Sequence, residues 1–271
     1  MKIAVTGASG FIGSYILSEL DKRDVEIIAI SRTTKNNYSS KLKNVQWVKL
    51  DILNPPQNCF KFIGEPDSLI NLAWGGLPNY RSNHHTDKEL PSHYHFLSNL
   101  IYGGLKSLVS VGTCFEYGMQ SGPLAANIKT KPDNSYGKAK DALHNQIREL
   151  SEIYPVKFTW ARLFYIYGIG QMEGSLYSSL KNAIDKGDKV FKMSGGEQIR
   201  DYMPVEKVAT ELVDLVFNEK ANNVVNICSS KPISVRALVE GWMEENNWKI
   251  ELVFGEYPYP DYEPHAFWGL K

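Results

Sequence analysis

Lys2-Ile3-Ala4-Val5-Thr6-Gly7-Ala8-Ser9-Gly10-Phe11-Ile12-Gly13 stands at the start of the chain, and its order decides the fold. A short apolar strand runs into a glycine-rich turn. The turn runs into Phe11 to Lys22, where Ile12, Tyr15, Ile16 and Leu20 fall close to one helical face. Glycines in such a turn permit a tight reversal, close approach of backbone N–H groups to a pyrophosphate, and close packing of helix on strand. The helix N-terminus adds a favourable potential for negative charge. The spacing is G-x-x-G-x-x-G rather than G-x-G-x-x-G, so its weight comes from its place after the first strand of an α/β chain. The expectation is a dinucleotide held by Gly7, Ser9, Gly10, Phe11, Ile12 and Gly13.

Outward from this turn, apolar runs alternate with helical patterns. Val25–Ser31, Val45–Leu50, Ser68–Ala73, Ser107–Val111 and Val156–Leu163 read as strands, with helices around Tyr94–Leu105 and Ser135–Tyr154. That alternation predicts a doubly wound parallel sheet covered on both faces. After about Ile166 glycines become frequent and connections lengthen, so residues 1–165 are expected to form the cofactor domain and 166–271 mainly a small α/β substrate domain, with room for some of its segments to return to the first. Val205–Phe217 and Ser234–Asn246 read as helices, Val224–Cys228 and Ile250–Phe254 as strands, and the proline- and tyrosine-rich stretch from Tyr257 as an ordered lid or edge.

The 271 residues carry 30 Lys+Arg against 30 Asp+Glu. That balance argues against nucleic acid and anionic membrane as partners, because both require a basic excess. No run of 18 apolar residues and no signal-peptide pattern is present, so a cytoplasmic protein is expected. Cys59, Cys114 and Cys228 are too few and too scattered for a disulfide framework or a zinc site, and are read as packing thiols.

Three further features carry chemistry. At the end of the second strand, where an acid would take the ribose 2′-OH of NAD, stand Ser31 and Arg32; a hydroxyl and a guanidinium suit a 2′-phosphate, which points to NADP. Tyr136 and Lys140 lie four apart in a helix and hence on one face, where an ammonium is expected to lower the phenol's pKa for proton transfer. Thr113 ends a strand at the carboxyl edge of the sheet, where α/β folds bind ligands.

Together with Leu72-Ala73 after a strand, Tyr117-Gly118 following Thr113, and Arg200-Asp201-Tyr202 before a helix, these motifs resemble the extended short-chain dehydrogenase/reductase family, the NAD-dependent epimerase/dehydratase group acting on nucleotide sugars. The resemblance covers nearly the whole chain. It implies a Rossmann domain with a small C-terminal substrate domain, and a homodimer through paired helices. It also implies a triad in which Tyr136 exchanges a proton with a sugar oxygen, Thr113 orients that oxygen, and Lys140 supports Tyr136 and the nicotinamide ribose. Asp51, Ile52, Leu72, Ala73, Tyr136, Lys140 and Leu163 join the cofactor set. Trp74, Thr113, Tyr165 and Arg200 form the substrate set, with Arg200 toward the diphosphate.

Within the family, dehydratases carry Asp-Glu directly after the active-site Thr, whereas this chain has Cys114-Phe115, which disfavours dehydration. Cys114 stands one residue after Thr113, not the two expected of a 3,5-epimerase-reductase. The Cys-Phe-Glu-Tyr-Gly wording and the ending Glu263 to Trp268 look more like nucleotide-sugar 4-ketoreductases of the CDP-abequose synthase or dTDP-fucose-forming kind, which serve surface polysaccharide biosynthesis. The expected reaction is NADPH-dependent reduction of a 4-keto-6-deoxyhexose. The alternatives are an epimerase that retains its cofactor and a non-catalytic NADP-binding protein. His84, His85, Glu89, His93 and His95 lack metal-ligand spacing and read as a solvated loop cluster; no metal is expected.

Overall fold

In the computed structural model, residues 1–33, 42, 44–218 and 223–271 are described. The main strands are β1 (Lys2–Thr6), β2 (Glu26–Ser31), β3 (Val45–Lys49), β4 (Ser68–Asn71), β5 (Ser107–Thr113), β6 (Lys157–Leu163) and β7 (Val224–Ile227). The principal helices are α1 (Phe11–Leu20), α2 (Leu90–Gly103), α3 (Ser135–Ile153), α4 (Leu176–Lys186), α5 (Val205–Phe217) and α6 (Val235–Glu245). All seven strands pair in parallel, in the order β7-β6-β5-β4-β1-β2-β3. From β1 the chain winds outward to β2 and β3, then crosses back to β4 on the other side. The reversal opens a crevice at the carboxyl ends of β1 and β4.

The central strands are apolar on both faces because both faces are covered. Ile3, Val5, Ile27 and Val109 pack with Ile16, Leu17 and Leu20 of α1 and Val208, Leu212 and Val213 of α5. On the opposite face Ala4, Ile28, Leu69 and Leu108 meet Phe96, Leu97 and Leu100 of α2 and Leu143, Ile147 and Leu150 of α3. The architecture is the Rossmann-type doubly wound sheet that the alternating pattern predicts. Two elements from beyond residue 165, α5 and β7, belong to this sheet layer. The rest of that region gathers around Leu180 of α4, Met193, and Val239 and Trp242 of α6.

Helix α4 goes unpredicted from the sequence. It buries only Leu180 and Ala183, is capped by the Ser175 side chain accepting from Ser178 N–H, and stops at Gly187 with φ +75°. Helix α2 starts four residues before its expected position, with Pro91 in the first turn where a missing N–H costs nothing. The tail closes the fold: Phe267–Gly269 pairs in parallel with Gly122–Leu124, which carries the irregular stretch before it across the open end of the sheet. No helix among the described residues is long and apolar enough to cross a membrane.

Candidate active site

The crevice is a cleft of about 360 Å³. The first turn lines it with Gly7, Ser9, Gly10, Phe11, Ile12 and Gly13, the β2 end with Ser31 and Arg32, the β3 end with Asp51 and Ile52, and the β4 end with Leu72, Ala73 and Trp74. The glycines are required sterically. Gly7 has φ +65°, and a Cβ on Gly13 would stand 2.3 Å from the Gly7 carbonyl oxygen and 2.8 Å from Ala8 Cα. Their lack of side chains lets the start of α1 and the β4 end pack directly onto the turn, whose backbone then lines the cleft at the N-terminus of α1, a position that fits a pyrophosphate. Thr6 holds the floor, its hydroxyl donating to Asn71 Oδ1 at 2.8 Å and accepting from Leu72 N at 3.1 Å and Ala73 N at 3.2 Å. Arg32 is exposed, and no acidic side chain among the described residues pairs with it.

Thr113, Tyr136 and Lys140 come together beside the cleft, at the β5 end and on the first two turns of α3. Asn134 caps that helix through Gly137 N–H at 2.8 Å. A Cβ on Gly137 would lie 2.6 Å from the Phe115 carbonyl oxygen, so glycine lets α3 close on the turn after β5 and brings Tyr136 up to the Thr113 end of that strand. Thr113 is itself fixed from behind. Glu116 Oε1 accepts its backbone N–H at 2.8 Å, while Trp160 Nε1 donates to the same oxygen at 3.0 Å and Arg162 Nε donates to Oε2 at 2.6 Å. Sequence reasoning missed this support, although the Thr-x-x-Glu capping-box spacing was its local signal.

The electrostatics differ from the expectation that Lys140 lowers the Tyr136 pKa. Burial pushes the Tyr136 phenol up instead, with Tyr80, Glu116 and Cys114 adding to it. The Lys140 ammonium points elsewhere: it donates to the Val111 carbonyl at 3.0 Å and lies 4.0 Å from the centre of the Trp74 ring. Burial brings Lys140 down to about 7. Tyr136 is therefore protonated at neutral pH.

On the substrate side Tyr165 and Arg200 meet through a residue the sequence reading did not select. Arg200 donates to Glu263 Oε1 at 2.6 Å and to the His265 and Ile199 carbonyls, each at 2.9 Å, and the Tyr165 hydroxyl donates to the other Glu263 oxygen. Arg200 is thereby buried. The same tail places Tyr262 against Tyr80 and Phe115, whose rings surround Tyr136, and ties Asp261 to Arg81 at 2.7 Å. Cys114 is buried with its thiol pushed up, in a cluster with Tyr117, Phe164 and Phe267. Leu163 pairs with Thr113 across the sheet and is not part of the cleft lining.

Of the residues read as a solvated loop cluster, only His95 is exposed. His85 and His93 are buried, and Glu89 joins them, its Oε1 facing His84 Nε2 at 2.9 Å and its Oε2 facing His93 Nε2 at 3.2 Å. Trp74 donates from Nε1 to His85 Nδ1 at 3.1 Å and stacks on His93 with ring centres 4.7 Å apart. Gly75 and Gly76 allow this, since a Cβ would meet Glu89 Oε1 at 2.5 Å or His84 Cδ2 at 2.8 Å. The Trp-Gly-Gly and His-His motifs are thus two halves of one structure. Only Glu116, Asp141 and His144 among the described residues group their ligand atoms within 4.8 Å, and Arg162 already occupies Glu116.

The sheet, the glycine cradle and the Thr-Tyr-Lys group define a nicotinamide-dinucleotide enzyme fold. Residues 3–228 match the NAD dependent epimerase/dehydratase family, and the chain belongs to it. Over the full length of both chains it is 29% identical to dTDP-6-deoxy-L-talose 4-dehydrogenase (NAD(+)) of Aggregatibacter actinomycetemcomitans. It is 26% identical to CDP-abequose synthase of Salmonella typhimurium, over 80% of this chain and 71% of that one. Among solved structures, UDP-glucuronic acid 4-epimerase from Bacillus cereus, in complex with UDP-glucuronic acid and NAD, superposes with a TM-score of 0.84 at 21% identity, covering 99% of this chain and 90% of that one. The family is one of NAD-dependent epimerases and dehydratases, and the first of these relatives is named for a nucleotide-linked sugar.

Proposed function

We propose that the chain reduces the 4-keto group of a nucleotide-linked 4-keto-6-deoxyhexose to the alcohol, with NADPH. The observation that carries the reading is Tyr136, a phenol kept protonated by burial and placed with Thr113 and Lys140 at the carboxyl edge of the sheet. Ketone reduction requires an acid at the carbonyl oxygen as the carbon gains a hydride. Bound NADPH supplies that hydride. Tyr136 donates the proton, Thr113 polarises the oxygen, and Lys140 sits one turn further along α3 on the Val111 carbonyl, ready to bind the cofactor ribose. The backbone of the first turn at Gly7 and Gly10 receives the pyrophosphate, Gly13 lets α1 pack close behind it, and Ser31 and Arg32 receive the 2′-phosphate. The name of the A. actinomycetemcomitans enzyme, a 4-dehydrogenase, supports chemistry at C4; it also carries NAD(+), so the NADPH preference rests on Arg32.

The test is the loss of reduced-nicotinamide absorbance when enzyme, NADPH and a dTDP- or CDP-4-keto-6-deoxyhexose are mixed. One NADPH is expected to be consumed per sugar. Tyr136→Phe is expected to lower turnover by roughly 10²–10⁴-fold while NADPH affinity holds. Sugar interconversion without NADPH consumption would replace this reading with the cofactor-retaining epimerase, and unchanged turnover in Tyr136→Phe would remove the mechanism.

A further inference from the structure

We infer that His93 is the hydrogen-bond acceptor that fixes the nicotinamide half of the dinucleotide in the cleft. The inference rests on the cofactor reading above and concerns a residue outside the Thr-Tyr-Lys group. The His93 side chain is 1% exposed, yet the residue lines the cleft together with Trp74, Gly75 and Glu89. Its Nε2 faces Glu89 Oε2 at 3.2 Å. Bonds from His93, His84 and the Gly75 N–H outweigh burial and hold the Glu89 carboxyl down at about 2, so it is ionised and can only accept. Nε2 therefore carries the proton, and Nδ1 presents a bare lone pair. That nitrogen has no hydrogen-bond partner among the described residues.

The ring cannot easily turn to find one. It is stacked on Trp74, which His85 anchors in turn, and Glu89 is held from its other side by His84. A buried acceptor held in place without a donor is costly, and such groups ordinarily mark a missing partner. The topology says which partner. In the sheet, β2 and β4 flank β1 on opposite sides, so a dinucleotide crossing the first turn with its 2′-phosphate at Ser31 and Arg32 carries its other nucleoside past the β4 end, where Trp74 and His93 stand. The nicotinamide nucleoside brings ribose hydroxyls and a carboxamide NH₂, each a donor for an imidazole nitrogen.

Calorimetric titration of NADPH and of adenosine 2′,5′-bisphosphate, which lacks the nicotinamide nucleoside, tests this on three proteins. His93→Phe keeps a ring against Trp74 and loses the acceptor; His93→Gln keeps an acceptor oxygen and an N–H for Glu89. His93→Phe is expected to bind NADPH about tenfold more weakly, the equivalent of ~1.4 kcal/mol, and the bisphosphate as well as wild type does. His93→Gln is expected to stay within about threefold of wild type for both. Undiminished NADPH binding in His93→Phe overturns the inference, as does an equal loss for both ligands, which would mark a structural role. Wild-type protein that binds neither ligand would instead overturn the cofactor reading of the cleft.

Discussion

The two sides of the carboxyl edge are built by different means. At the first turn, beyond β1, the surface is backbone: three glycines and the Thr6 hydroxyl shape it, and its residues are near neighbours in sequence except where Thr6 reaches Leu72 and Ala73. At β5 and β6 it is side chain: Glu116 bonds to Arg162, 46 residues away, and Arg200 to Glu263, 63 residues away. The first side depends on the absence of atoms, the second on buried charges that must find each other. Backbone cradles thus fail when something is added, and charge networks fail when something is removed.

The largest effect is expected on the charged side. Arg162 and Glu116 are almost wholly buried, and Arg162→Met would leave the Glu116 carboxylate without its cation while Thr113 N–H and Trp160 still bond to it. Removing one partner of a buried pair costs roughly 3–5 kcal/mol. Urea unfolding should register that loss, and a destabilisation below about 1 kcal/mol, the range of an exposed pair, would place the network on the solvated side of the comparison.

On the backbone side the damaging change is the smallest possible addition. In Gly13→Ala the new methyl would meet three backbone atoms of Gly7 and Ala8 at 2.3–2.9 Å, none of which can swing aside. Overpacking of this kind costs about 1–3 kcal/mol. NADPH affinity should fall as the cradle is pushed open. Gly241→Ala, in α6, is the matched control: its methyl meets nothing within 4 Å, and replacing a helical glycine should stabilise by up to about 1 kcal/mol. Equal outcomes for the two alanines would deny that the cradle is shaped by exclusion.

The same division governs what could be read from sequence. The strands of the sheet and their parallel pairing follow from the alternation of apolar runs with helical patterns, and the first turn, Thr113, Tyr136 and Lys140 are marked by short-range spacing. What escaped depends on partners far along the chain. Nothing near Glu263 announces Arg200, and nothing in His84-His85 announces Trp74 or the two glycines that make room for them. Helix α4 escaped because its buried stripe is only Leu180 and Ala183. The direction of the Tyr136 shift is not legible in the sequence, because spacing puts Lys140 on the same helical face without saying where its ammonium points. The Val111 carbonyl and the Trp74 ring take it.

The mildest test asks whether the backbone side also discriminates by charge. Arg32 is exposed at the rim of the cleft, beside Ser31 whose hydroxyl donates to the Thr33 carbonyl. A guanidinium so placed gains only part of what a buried one would, because water screens it from a 2′-phosphate. In Arg32→Ser the affinity for NADPH should fall by about tenfold, the low end for a hydrogen bond to a charged group. NADH has no phosphate at that position, so its affinity should stay unchanged. The ratio of the two dissociation constants, measured by nicotinamide fluorescence at low and high salt, separates the effects: a true phosphate contact weakens with salt for NADPH alone. If both cofactors lose affinity together, Arg32 serves the shape of the cradle, and the preference between NADPH and NADH must be set by other residues of the cleft.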